Sequence, residues 1–291
     1  MTAWVFPGQG AQRPGMGAGL FDRYAGRTRA ASELLGWSVS EVCLSGDGRL
    51  DQTEFTQPAL FVVNALSYAD TLTAAGREPD YLAGHSLGEL NALHAAGSMD
   101  FLTGVGVAAR RGELMARCAG GGMAVVLGLS ENLVREVLAR SDTELEVAAL
   151  NAPAQVAVAG PRDAVDAARV TFLAAGAADY VPLRVSGAFH SRLMAPAAEG
   201  FARYLEGVPL RRPRIPVIST VTARPYDEPP ARALVAQLTS CVRWADSIEY
   251  LIAAGAGDIA HVGPGQGIGK LVRAITRARG DRQQDTVGGR T

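Results

Sequence analysis

The chain has 291 residues, 48% hydrophobic and 20% charged, with a net charge of −1. This composition describes a soluble globular protein with ample core for one large domain or two smaller ones. The longest apolar runs fall far short of the ~18–20 residues that a membrane span needs, so no membrane association is expected. The segment Met1-Thr2-Ala3-Trp4-Val5-Phe6-Pro7 lacks a basic start and a long apolar stretch, so no secretion signal is visible. Cys43, Cys118 and Cys241 are odd in number and far apart, which fits neither a disulfide framework nor a zinc site. A reducing cytoplasm is the expected setting.

Residues 3–6 read as a short buried strand opening into the loop Pro7-Gly8-Gln9-Gly10-Ala11-Gln12. A helical pattern covers 22–35, and the polar stretch 45–54 reads as loop. Thr56 reads as an N-cap with Pro58 in the first turn of a helix to Ala75. That helix is apolar nearly all round, which predicts central burial. A strand at Tyr81-Leu82-Ala83 then meets Gly84-His85-Ser86-Leu87-Gly88-Glu89-Leu90, and a helix runs over 87–96, stopped by Gly97.

Glycines two before and two after a serine, between a strand and a helix, match the nucleophile elbow. The turn leaves room for hydrogen only at its flanks and puts the serine hydroxyl at the tip. Behind it, free backbone N–H groups and the positive helix end favour a developing oxyanion. An ordinary serine in a glycine-rich turn would show the same five residues, so the surroundings must decide.

A further helix is predicted over 101–116. From Met123 the rhythm changes to strand 123–127, helix 130–140, strands 145–150 and 155–159, helix 161–175 and strand 179–183. The order β-α-β-β-α-β is the ferredoxin-like unit. This places an inserted subdomain at about 123–186, within a discontinuous α/β core of 1–122 and 187–278. Strands at 216–221 and 258–262 and a closing helix at 267–277 belong to the core, and 279–291 reads as a tail. Charge is uneven. Residues 1–183 hold 13 basic and 20 acidic side chains, and residues 184–291 hold 15 and 9. Nucleic acid is not expected, because no aromatic-basic stripe or binding motif is present. The basic C-terminal third suits an acidic partner or equally a solvated face.

A serine hydroxyl needs a base poised near neutral pH. Of the four histidines, His85 adjoins Ser86 at a sharp turn and should point away. His94 sits mid-helix and His261 beside a strand end. His190, in Gly187-Ala188-Phe189-His190-Ser191, lies where the chain re-enters the core and is the best candidate, with a satisfied loop histidine as its alternative. No acid is placed to orient it, so a backbone carbonyl could serve. The N–H of Leu87 is one oxyanion donor, and the loop Pro7-Gly8-Gln9-Gly10 could supply the second. Taken alone, Arg111 reads better as a surface helix arginine than as a ligand-binding one.

Six stretches occur in an order that resembles the malonyl-CoA:acyl carrier protein transacylase family over about 3–275. They are Phe6–Gln12, Gly84–Glu89, Arg111-Gly112-Glu113-Leu114-Met115, Asn151 with Gln155–Gly160, Phe189-His190-Ser191 and Val262-Gly263-Pro264-Gly265. The stretch Phe55–Leu66 is most similar to the free-standing, trans-acting acyltransferases of modular polyketide synthases.

The resemblance implies an α/β fold with an α/β-hydrolase-like core and an inserted ferredoxin-like α+β subdomain, in agreement with the pattern above. It implies malonyl transfer from coenzyme A, through an ester of Ser86, to the phosphopantetheine thiol of an acyl carrier protein. His190 would take the proton, and the N–H groups of Gln9 and Leu87 would hold the oxyanion. Arg111 would bind the free carboxylate of the acyl group, and Asn151 and Phe189 would contact substrate. Neither a metal nor a cofactor is called for, and a monomer suffices.

The family orients its histidine with a carbonyl in a Pro-Val-(Arg/Gln)-(Trp/Phe) segment. The match here is Cys241-Val242-Arg243-Trp244, with cysteine for proline. A bulky residue before the histidine goes with malonyl, so Phe189 implies malonyl over methylmalonyl. The alternatives are an editing hydrolase, a transferase with a carrier-bound donor, and a non-catalytic docking protein. The intact Ser86/His190 pair argues against the last.

Overall fold

The computed structural model describes residues 1–288. It opens with the interior strand β1 (Thr2–Phe6), in which Ala3, Trp4, Val5 and Phe6 are all buried. An unbroken apolar run is what a parallel strand covered on both faces requires.

The chain continues through α1 (Leu20–Arg23), α2 (Ala25–Leu35), α3 (Val39–Ser45), a 3-10 turn (Arg49–Asp51) and the long α4 (Thr53–Ala75). The strand β2 (Tyr81–Gly84) follows, then α5 (Gly88–Ala95) and α6 (Phe101–Ala116). The middle section is β3 (Gly121–Leu127), α7 (Glu131–Arg140), β4 (Glu146–Ala152), β5 (Gln155–Pro161), α8 (Arg162–Ala174) and β6 (Asp179–Pro182). The last part comprises a 3-10 turn (Arg192–Met194), α9 (Ala195–Leu205), β7 (Val217–Ser219), β8 (Arg224–Pro225), α10 (Ala231–Gln237), α11 (Trp244–Ala253), β9 (Asp258–His261) and α12 (Gly267–Gly288).

The strands form two sheets, β8-β7-β2-β1-β9 and β4-β5-β3-β6. In the first, β7, β2, β1 and β9 are parallel, and Phe6 pairs with Gly84. That register delivers the loops after β1 and β2 to one edge, where ligands of open α/β sheets bind. The second sheet is antiparallel throughout, in the ferredoxin-like order. Its period-2 alternation splits two cores. Ala124, Val126, Val156 and Val158 pack under α7 and α8, whereas Met123, Val125, Ala149 and Ala157 face the main body. The molecule thus has an α/β-hydrolase-like core with a ferredoxin-like insert.

Several boundaries differ from the sequence reading. The helix expected to start at a Thr56 cap begins at Thr53, and the Thr56 hydroxyl donates to the carbonyls of Leu50 (2.6 Å) and Gln52 (2.8 Å). A donating hydroxyl does not cap free N–H groups, so Thr56 acts one turn inside the helix. The 22–35 pattern breaks at Tyr24, whose φ and ψ are −115° and 39°. The final helix passes Arg277 and runs to Gly288, over most of the stretch read as a tail, because no proline interrupts it. Residues 289–291 of that stretch lie outside the described residues. Among the described residues, no helix is long and apolar enough to cross a membrane.

Candidate active site

Between β2 and α5 only His85, Ser86 and Leu87 turn the chain. A Cβ on Gly84 would lie 2.0 Å from the carbonyl carbon of Gly88, and one on Gly88 2.3 Å from the oxygen of Phe6. Contact, not dihedral freedom, requires these glycines. The unusual backbone belongs to Ser86 itself, at φ 51°. A non-glycine residue in the left-handed region is costly and marks a position that its surroundings hold in place.

The Ser86 hydroxyl lies 2.7 Å from Nε2 of His190. His190 also has a positive φ, 63°, in a turn braced by the Ser191 hydroxyl, which donates to the Ala188 carbonyl at 2.7 Å. Nδ1 of His190 lies 2.8 Å from the main-chain oxygen of Gln237. A carbonyl can only accept, so Nδ1 carries the proton and Nε2 is free to take one from Ser86. Burial, followed by the charge of Arg111, pushes the imidazole pKa down to about 3, against the pull of the Gln237 carbonyl. The ring is therefore neutral at physiological pH, as a general base must be.

This geometry corrects the expectation drawn from Cys241-Val242-Arg243-Trp244. The orienting carbonyl is that of Gln237, at the end of α10. The 241–244 segment does something else. Val242 pairs with Ala149, its N–H donating to Ala148 and its carbonyl accepting from Leu150, both at 2.9 Å. It extends the second sheet as an extra edge and fastens β4 to the core. Trp244 packs against His85, ring centroids 5.6 Å apart.

Arg111, on α6, is 1% exposed. Its Nη1 donates to Gln57 Oε1 at 2.8 Å, and its Nη2 to Gln237 Oε1 at 2.8 Å and to the Ser86 hydroxyl at 3.2 Å. Burial lowers its pKa to about 10, which leaves it charged at neutral pH. Neighbouring Arg110 instead pairs with Glu113 at 2.6 Å near the surface.

The loop after β1 is held from α4. Asn64 Nδ2 donates to the Pro7 carbonyl at 3.1 Å, and Gln9 Nε2 donates to the Thr53 hydroxyl at 3.1 Å. The bonds closing the two turns come from other amides, Ala11 to Gly8 and Gly88 to His85. The N–H groups of Gln9 and Leu87 stay outside them. A cleft of about 490 Å³ unites Gln9, Ser86, Arg111, Asn151, Phe189 and His190, with Met123, Val125 and Ala149 forming a wall from the second sheet. Asn151 is also held internally, its Oδ1 lying 2.9 Å from Nε2 of half-buried His85. His85 thus points away from the serine hydroxyl, and His94 is occupied by the Met99 carbonyl at 3.1 Å.

All seven residues expected at the site line this cleft or, for Leu87, turn the chain beside it. Sequence reasoning missed Gln57 and Gln237. Gln57 stood inside a quoted stretch, but nothing in the α10 sequence marks Gln237.

An elbow serine bonded to a neutral, carbonyl-oriented histidine is equipment for covalent acyl transfer. Residues 3–276 match the acyl transferase domain family, and the chain belongs to it. It is 47% identical over 278 residues to the polyketide biosynthesis protein ThaF of Burkholderia thailandensis, covering 94% of this chain but only 24% of that protein. It is 44% identical over 281 residues to the polyketide biosynthesis malonyl CoA-acyl carrier protein transacylase PksC of Bacillus subtilis, covering 95% of this chain and 98% of that one. The crystal structure of malonyl CoA-acyl carrier protein transacylase from Burkholderia pseudomallei superposes with a TM-score of 0.92 at 42% identity, covering 95% of this chain and 98% of that one.

Proposed function

We propose that this acyltransferase moves a malonyl group from coenzyme A to Ser86, and from Ser86 to the phosphopantetheine thiol of an acyl carrier protein in polyketide biosynthesis. The observation that carries the reading is the buried Arg111 fork, 3.2 Å from the Ser86 hydroxyl. A permanently charged guanidinium at that distance suits an acyl group ending in a carboxylate, and only Arg offers the planar two-pronged donor. The family names of PksC and the Burkholderia pseudomallei structure point the same way.

The chemistry proceeds in two halves. Ser86 Oγ attacks the thioester carbonyl carbon as His190 Nε2 takes its proton, and the N–H groups of Gln9 and Leu87 receive the oxyanion. The C–S bond breaks, and the coenzyme A sulfur leaves with the proton from His190. The carrier thiol then gives its proton to His190 and attacks the Ser86 ester, and the returning proton restores the serine. Arg111 holds the acyl carboxylate through both halves, and Phe189 occupies the space that an α-methyl would need. The discontinuous 1–122 and 187–278 core carries the serine and the histidine, and the 123–186 insert closes the cleft. The enzyme works as a monomer in a reducing cytoplasm, in keeping with three unbridged cysteines.

Intact mass after brief exposure to malonyl-, methylmalonyl- or acetyl-CoA tests this reading. A malonyl adduct that needs Ser86 and weakens in Arg111→Ala is expected. An adduct formed as well from acetyl-CoA and quickly lost to water would make the protein an editing hydrolase. No adduct from any of the three would point to a carrier-bound donor.

A further inference from the structure

We propose that Glu89 is a positioning residue for acyl-group recognition: its buried carboxylate, acting through the side-chain amide of Gln237, holds Arg111 aimed at Ser86. The inference rests on the reading of Arg111 as the anchor of the acyl carboxylate.

Glu89 lies in the first turn of α5 and is fully buried. It accepts from the Thr220 N–H at 3.3 Å, from the hydroxyls of Thr220 and Tyr226, and from Gln237 Nε2 at 2.5 Å. Both N–H groups donate to the same oxygen, Oε2, so that oxygen is held as an acceptor facing Gln237 whichever form the carboxyl takes, although burial raises its pKa. Arg111 presents the opposite case. Among the described residues, no carboxylate lies within 4.0 Å of its guanidinium, and its partners Gln57, Gln237 and Ser86 are neutral. A buried cation without a counter-charge is costly.

Gln237 spans the two. Its Oε1 faces the Arg111 guanidinium at 2.8 Å and its Nε2 faces the Oε2 acceptor of Glu89 at 2.5 Å, so the amide is oriented from both sides. Only this orientation satisfies both ends; the flipped amide would set NH₂ against guanidinium and oxygen against carboxylate. Glu89 therefore selects the orientation that offers Arg111 an acceptor. The same Nε2 of Gln237 also donates to the Ser86 carbonyl at 3.2 Å, a bond that ties the end of α10 to the elbow without Glu89. Glu89 touches no substrate.

The test compares Ser86 acylation by malonyl-CoA and acetyl-CoA in wild type and Glu89→Gln. Acetyl has no carboxylate for Arg111 to read, so the malonyl-to-acetyl rate ratio is expected to fall at least tenfold. An unchanged ratio, or equal loss of both rates, would reduce Glu89 to a structural residue and overturn the proposal. If Glu89→Gln does not fold, Gln237→Met severs the bridge while keeping Glu89 and Arg111, and the same selective loss or its absence decides. Failure of the functional reading would show in the wild type, as a missing malonyl adduct. The ratio is then read with whichever carboxylate-bearing thioester the wild type accepts, and acceptance of none would overturn both.

Discussion

The main-chain oxygen of Gln237 lies 2.8 Å from Nδ1 of His190, and the side-chain oxygen of the same residue lies 2.8 Å from Nη2 of Arg111. One residue thus orients the base through its backbone and the acyl anchor through its side chain. The two roles separate in Gln237→Ala, which keeps the carbonyl and loses the amide. Acylation by malonyl-CoA is expected to fall roughly 10–100-fold, as expected when a reacting group is displaced by about an ångström. Reaction of Ser86 with a small neutral sulfonyl fluoride, which needs only the serine and the base, should fall much less. Stopped-time mass spectrometry with both reagents checks this, and equal losses would deny the separation.

Arg111 also acts on His190 through space. Burial is the larger cause of the low imidazole pKa, about 3, and the guanidinium charge comes second. The neutral ring is the reactive form, so Ser86 reactivity is lost as pH falls through the His190 pKa. Arg111→Ala removes a charge that disfavours protonation, so the pKa rises and the acid limb moves to higher pH. The pH dependence of sulfonyl fluoride inactivation in wild type and variant, followed from neutral pH down through the wild-type value of about 3, reads the shift. Superimposable limbs would show that the two groups do not interact.

Much of the fold was legible because local signals and tertiary structure agree. The helix at 101–116 has both an apolar stripe and a cap, with Asp100 accepting from the Thr103 N–H at 2.7 Å. The ferredoxin-like order was readable from strands that alternate between two cores. The elbow was readable because a Cβ on Gly84 or Gly88 would fall 2.0 to 2.3 Å from backbone atoms, whatever else the chain does. Gln57 and Gln237 were not, since their partners lie 54 and 126 residues away on Arg111. The orienting carbonyl was misplaced for a deeper reason. Every residue type carries a carbonyl, so side-chain identity cannot say which one faces Nδ1. The helices at 195–205 and 244–253 do carry apolar stripes, whereas 231–237 is too short to announce itself by period.

Three of the imidazoles also shape stability. His85, His94 and His190 are all held below the ordinary 6.5, chiefly by burial. The unfolded chain therefore binds protons first, and the stabilisation present above pH 6.5 is lost as pH falls below it, for His190 continuing towards about 3. Each such group contributes a slope of up to about 1.4 kcal/mol per pH unit. Glu89, with a raised pKa, works in the opposite sense, so the total slope is a sum. Denaturant titrations of wild type and His190→Gln across this range isolate one group. The variant's stability is expected to fall less steeply with acid, and parallel curves would place His190 in contact with solvent.

Phe189 sets the last expectation. It is 5% exposed, lines the cleft beside His190, and its ring would meet a Cβ on Gly187 at 3.1 Å, so it has no free space on that side. Phe189→Ala opens the cleft where an α-methyl of the acyl group would lie. Exclusion of one methyl by a packed wall is worth about 1–3 kcal/mol, so the ratio of methylmalonyl to malonyl acylation should rise by roughly tenfold or more. The same truncation empties part of the core and should cost about 3 kcal/mol of stability. Competition between the two thioesters, read as the mass of the Ser86 adduct, measures the ratio, and thermal melting measures the cost. A variant that melts earlier yet keeps its preference for malonyl would place the discrimination elsewhere on the wall, at Met123 or Val125.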